Sequence, residues 1–158
     1  MIEALILKFK NKLEQKQGNI IFGKINGENL SIKEKGIYYD FLRIADGVRC
    51  GVIDLWSYKD ISRNQYMIID KEKWLCIGQV NYVPLVLEKK SDDIYIYNET
   101  DEKNKQWSFI DNFYDFIINY LLGDKYVMIV PDCEDDLWYQ FIHHNCNNVK
   151  HNYSCSEG

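Results

Sequence analysis

Between Val52 and Asn98 the chain sets short apolar runs one after another with only polar links between them. Val52–Tyr58 (VIDLWSY), Gln65–Ile69 (QYMII), Trp74–Gln79 (WLCIGQ), Val83–Glu88 (VPLVLE) and Asp93–Asn98 (DIYIYN) each read as a strand. Joining parallel neighbours takes a crossover of about a dozen residues or more, whereas antiparallel neighbours need only a tight turn. The spacing therefore commits this stretch to an antiparallel or mixed sheet. Alternation assigns the faces. Val83, Leu85 and Leu87 fall on one side of their run, and Ile94 and Ile96 on one side of theirs, with Tyr95 and Tyr97 opposite. Glu88–Asp93 (EKKSDD) is a hairpin link, and Pro84 marks an edge or a strand start.

Helical patterns flank these runs. Ile2, Leu5, Ile6, Phe9 and Leu13 recur at helical spacing before Gly18. Asn19–Ile25 is a short β-rich lead-in, closed by a turn at Asn26-Gly27. Ser31 and Glu34 have capping-box spacing. Ile37, Phe41, Ile44 and Ala45 form one side of an aromatic helix that stops at Asp46-Gly47, where glycine can turn left-handed. A second aromatic helix is read over Ser108–Gly123, capped by Ser108 with Asp111, its inner stripe made of Phe109, Phe113, Phe116, Ile117, Tyr120 and Leu121. Tyr126–Val130 reads as a further strand or extended segment, and Leu137–His144 as a short helix. The fold class is α+β: one antiparallel or mixed sheet of about five or six strands with helices packed on it. Residues 1–123 read as the domain, followed by an extension over 124–158 that is acidic and then polar.

Composition limits what the chain can do. The net charge is −5, and acids crowd residues 111–136 (Asp111, Asp115, Asp124, Asp132, Glu134, Asp135, Asp136) against Lys125 alone. That distribution argues against direct nucleic-acid binding, which needs a basic stripe, and favours a basic protein partner. No long uncharged apolar run exists, so no membrane contact and a cytoplasmic location are expected, with the five cysteines as reduced thiols. Cys50 and Cys76 lie in apolar runs and read as small core residues.

No GxGxxG, GxxxxGK[ST], GxSxG or HExxH pattern occurs, and no cofactor is expected. Cys133, His143, His144, Cys146, His151 and Cys155 make a candidate zinc set, but without a CxxC knuckle, and ordinary thiols in a polar tail are the preferred reading. Trp56, Trp74 and Trp107 read as core aromatics. Trp138-Tyr139, directly after the acidic run, reads either as a pair of interface anchors or as part of a packed helix.

The order helix, glycine stop, strands, helix resembles the SUKH superfamily. The residues that carry the likeness are Tyr39, Phe41, Leu42 and Asp46-Gly47, then Ile53, Leu55 and Trp56, then Leu75-Cys76-Ile77-Gly78. The strand pair Val83–Leu87 and Ile94–Tyr97 follows, and Ser108-Phe109 opens the last helix. The family's Leu-Pro before the second helix is replaced here by Gly36-Ile37. The resemblance implies a non-catalytic immunity protein that binds a cognate bacterial toxin in the cytosol. Nuclease and deaminase toxins are the expected targets, and their clefts are basic. A regulatory interaction scaffold on the same fold, as in the family's fungal members, is the alternative. On this reading Asp132, Glu134, Asp135 and Asp136 are the candidate contact residues, with Trp138 and Tyr139 as anchors. Trp56 and Tyr58 on the sheet face are the other candidates.

Overall fold

The computed structural model describes residues 2–15, 23–99 and 106–144. Its centre is one seven-stranded sheet in which the strands follow one another in chain order. They are β1 (Gly23–Ile25), β2 (Val48–Cys50), β3 (Ile53–Leu55), β4 (Trp74–Val80), β5 (Val83–Glu88), β6 (Asp93–Tyr97) and β7 (Trp107–Asn112). Every neighbouring pair is antiparallel. The protein is thus α+β, with slightly more strands than expected. The extra ones are β2, whose three residues are too short to show alternation, and β7, which sits where a helix was expected to begin.

Helices cover one face of the sheet: α1 (Ile2–Gln15), α2 (Ile37–Ile44), α4 (Phe113–Asp115) and α5 (residues 137–144). Helix α1 buries Ile6 and Phe9 as its stripe predicts, and α2 buries Tyr38, Phe41 and Leu42. Beneath them lie Val48, Cys50, Ile53, Leu55, Ile77, Leu85, Leu87 and Ile94, one buried cluster drawn from successive strands. Tyr38 drives its hydroxyl through this core to donate to Trp56 O (2.5 Å) and Ile77 O (3.0 Å), and burial pushes its pKa well up. At Gly78 the backbones of β3 and β4 come so close that a Cβ would overlap the carbonyl oxygen of Asp54.

Several local expectations are overturned. Ser31 and Glu34 cap no helix: Ser31 bonds the Asn29 side chain, and α2 begins instead after Gly36, whose φ of 134° suits glycine. The run Val52–Tyr58 is a strand only through Leu55, and Tyr58 opens helix α3 (Tyr58–Asn64), followed by a 3-10 turn at Gln65–Met67. The predicted strand at Gln65–Ile69 is therefore absent. Gln65 does meet the sheet, but with its side chain: its amide donates to Cys76 O (2.9 Å) and accepts from Cys76 N (3.0 Å). One glutamine thus satisfies the backbone of β4 where β3 has already turned away.

The last predicted helix starts later than expected. Asn112, not Ser108, caps it by accepting from Asp115 N (3.0 Å). Helix α4 (Phe113–Asp115) then continues as a π-helix over Phe116–Leu121, which turns Phe116, Ile117, Tyr120 and Leu121 inward. Residues 124–144 are not an appendage to this core. Tyr126, Val130, Cys133, Trp138, Phe141 and Ile142 belong to the same buried cluster. The segment Tyr126–Val130, expected as a strand or extended, falls largely in a 3-10 turn over Asp124–Met128, and α5 spans 137–144. Among the described residues no helix is long and apolar enough to cross a membrane.

Candidate functional site

A meander of seven strands places alternate turns at the same end of the sheet. The β2–β3 turn (Gly51-Val52), the β4–β5 turn (Asn81-Tyr82), the end of β6 and the start of β7 share one end, and Asn81 N donates to Val52 O (2.8 Å). The acidic run arrives at this end too. Asp136 accepts a hydrogen bond from the Tyr126 hydroxyl (2.6 Å), and that hydroxyl accepts one from Val52 N (3.3 Å). The other Asp136 oxygen accepts from Trp138 N (2.8 Å) and Tyr139 N (3.4 Å), which caps α5. Burial, and then the Asp136 carboxylate, push the Tyr126 pKa far above the ordinary phenol value.

These contacts sort the predicted contact residues. Asp132, Glu134 and Asp135 are exposed and free to meet a partner's charges. Asp136 is half-buried and spent on structure. Trp138 is not a surface anchor: it is fully buried, its indole N–H donates to Leu121 O (2.9 Å), and its ring lies against Phe9 and Phe141. An amphipathic helix that packs its tryptophan inward produces the same local sequence as an exposed anchor. Tyr139 is half-buried and stacks on His143. Tyr58 is partly exposed, but its hydroxyl donates to Glu34 (2.7 Å), holding that carboxyl below its usual range. Its backbone N–H donates to Asp46 (2.7 Å), so the Asp46-Gly47 pair ties the end of α2 to the start of α3. Trp56 is half-buried and bridges the main core and a second, smaller cluster.

That second cluster lies on the sheet face opposite the helices. Ile68, Trp74, Cys76 and Val86 are buried there, with Met67, Tyr95 and Trp107 packed around them. A bulge between Cys76 and Gly78 resets β4, so that Trp74 and Cys76 share this face with Gln79. Across β5 to β7 the register aligns Val86 with Tyr95, Tyr95 with Phe109, and Tyr97 with Trp107. The rings interlock: Trp74 meets Tyr95 (5.0 Å) and Trp107 (5.5 Å), Tyr95 meets Phe109 (5.6 Å), and Tyr97 meets Trp107 (5.4 Å). Phe109, Tyr82, Ile69 and Tyr66 are largely exposed at 58%, 82%, 97% and 78%. A groove of about 860 Å³ runs between the α3–β4 connection and the hairpin end, lined by Ile69, Trp74, Tyr82, Pro84, Tyr97 and Trp107. The other half of the open face is polar, a cross-strand row of Lys24, Arg49, Asp54 and Gln79 in which Asp54 accepts from Arg49 (2.8 Å) and Gln79 (3.0 Å).

The aromatic groove is not apparent from the sequence, although the alternation in DIYIYN sets Tyr95 and Tyr97 apart from the core face. The described cysteines are poorly placed to react. Burial raises the pKa of the Cys50, Cys76 and Cys133 thiols, and at Cys133 the carboxylates of Asp136, Glu134 and Asp132 add to it. Thiols so raised are poor nucleophiles and metal ligands near neutral pH. Among the described residues no three His, Cys, Asp or Glu side chains converge on a metal position. Cys146, His151 and Cys155 of the proposed zinc set lie outside the described residues. Compared with known proteins, the chain matches no family model and no curated relative.

Proposed function

We propose that the protein is a non-catalytic binding protein that neutralises a toxin in the cytosol, as the resemblance to SUKH immunity proteins implies. One observation carries this reading: the sheet face left open by the helices holds an aromatic-lined groove, and an exposed acidic loop is tied through Asp136 and Tyr126 to the β2–β3 turn at the end of the sheet where Tyr82 stands. Aromatic side chains with partly exposed rings supply large contact area at low entropic cost, the usual source of interface hot spots. Asp132, Glu134 and Asp135 lie at the same end of the sheet, where they would steer a basic toxin cleft toward the groove. Occupying that cleft blocks the toxin's substrate without any reaction in the binder.

The test is co-expression with the C-terminal domain of any large secreted protein encoded beside this one that proves toxic when expressed alone. Restored growth and co-purification of the two chains support the proposal. Unchanged toxicity with no complex rejects it.

A further inference from the structure

Tyr82 is held in a backbone conformation that its own side chain disfavours. The β4–β5 turn has Asn81 at φ 48° and Tyr82 at φ 70°. Two successive left-handed residues make the type I′ hairpin turn, for which Asn-Gly is the low-strain solution. A bulky residue at such a φ is an outlier. Tyr82 gains no burial in return, since it is 82% exposed. Strain kept without a packing gain points to use of the side chain itself.

The ring stands at the mouth of the groove. Trp74, Tyr97 and Trp107 line it, and the exposed carboxylates of Asp70 and Glu99 stand on its rim. Lys73, its lining cation, is already engaged: its ammonium lies 4.6 Å from the Trp74 ring centre and 3.7 Å from the Glu88 carboxylate. The groove floor therefore already holds one cation against a ring, and its remaining lining charges are negative.

We propose that this groove takes an arginine or lysine side chain, flanked by apolar residues, from an extended segment of the protein partner, with Tyr82 as a principal contact. Ring faces attract the cation, the two carboxylates neutralise it, and Ile69 and Pro84 cover the flanking apolar residues. This rests on the binding-protein reading above and adds the chemistry of what is bound.

The test needs no toxin. The four indole N–H signals of the ¹⁵N-labelled protein (Trp56, Trp74, Trp107, Trp138) are followed while the peptide acetyl-Leu-Arg-Leu-Arg-Leu-amide is added. The probe acetyl-Leu-Glu-Leu-Glu-Leu-amide is titrated in parallel. The expected result is saturable movement of the Trp74 and Trp107 signals with the arginine peptide only, while buried Trp138 stays still. Asp70→Asn with Glu99→Gln should weaken that binding by about threefold, the scale of exposed ion pairs. Tyr82→Gly should weaken it by at least about fivefold, the scale of a cation–ring contact, without lowering the melting temperature, because glycine relieves the turn. Equal response to both peptides, movement that spares Trp107, or full affinity in Tyr82→Gly would each overturn the inference. Growth rescue by the toxin test reads the proposed function separately, so either idea can fail while the other stands.

Discussion

Replacing Asp136 by alanine should destabilise the fold far more than replacing its neighbour Asp135. Asp136 accepts from Tyr126 at 2.6 Å and from the first turn of α5 at 2.8 Å, whereas Asp135 is exposed. A hydrogen bond to a charged group contributes about 1.5–3 kcal/mol, and loss of an N-cap costs about 1 kcal/mol. The two share one carboxylate, so they do not simply add, and about 3 kcal/mol is the expected total. For a chain of 158 residues that corresponds to a drop in melting temperature of roughly 6–12 °C. Asp135→Ala should stay within about 0.5 kcal/mol of the parent. Urea unfolding followed by tryptophan fluorescence, with melting curves in parallel, measures both variants. If Asp136→Ala unfolds at the same urea midpoint as Asp135→Ala, the acidic run is not anchored through Tyr126, and the division between structural and exposed acids collapses.

Other outcomes follow from the same geometry. The folded Tyr126 pKa lies above its ordinary value of 10.0, so its hydroxyl contributes stability below about pH 10 and loses it as pH rises and the unfolded chain ionises. Tyr126→Phe should therefore be less stable at pH 7, and its deficit against the parent should shrink in unfolding measured from pH 9 to 11. Gly78→Ala should abolish soluble expression or cost more than about 3 kcal/mol, because the new Cβ collides with the Asp54 carbonyl rather than with a movable side chain; a soluble, parent-like variant would contradict the strand spacing. Reversing Asp132, Glu134 and Asp135 to lysine should slow toxin association and weaken its salt dependence, with little change in melting temperature. Stopped-flow rates at low and moderate salt would show it, and unchanged rates would move the electrostatic contact elsewhere.

What was legible in the chain was the part whose pattern repeats. Helix α1 announces itself through Ile2, Leu5, Ile6, Phe9 and Leu13, and the facing of β5 and β6 follows from strict alternation. Helix α3 was hidden because Tyr58–Asn64 buries only Ile61, too little apolar surface to set a helical period. Residues 107–112 carry apolar side chains at Trp107, Phe109 and Ile110, a spacing that fits a strand or the first turn of a helix equally well. The deciding signal was Asn112, a good cap one residue before the true start. Trp138 could be read as an interface anchor, because its neighbours are acids, or as part of a packed helix, and only its tertiary partners Leu121, Phe9 and Phe141 decide for the inside. The groove was half legible: Tyr95 and Tyr97 were assigned to the correct face. Its other wall depends on β7 and on the φ of Tyr82, which no local pattern encodes.

The decisive experiment is calorimetric titration of this protein with the C-terminal domain of any large secreted protein encoded beside it. The expected result is one-to-one binding at nanomolar affinity or tighter, about −12 kcal/mol or better, with a marked loss in Tyr82→Gly and none in Leu7→Ala on the partly exposed side of α1. Absence of heat at micromolar concentrations would contradict the binding reading, whereas equal affinity in the Tyr82 variant would overturn only the part given to the groove.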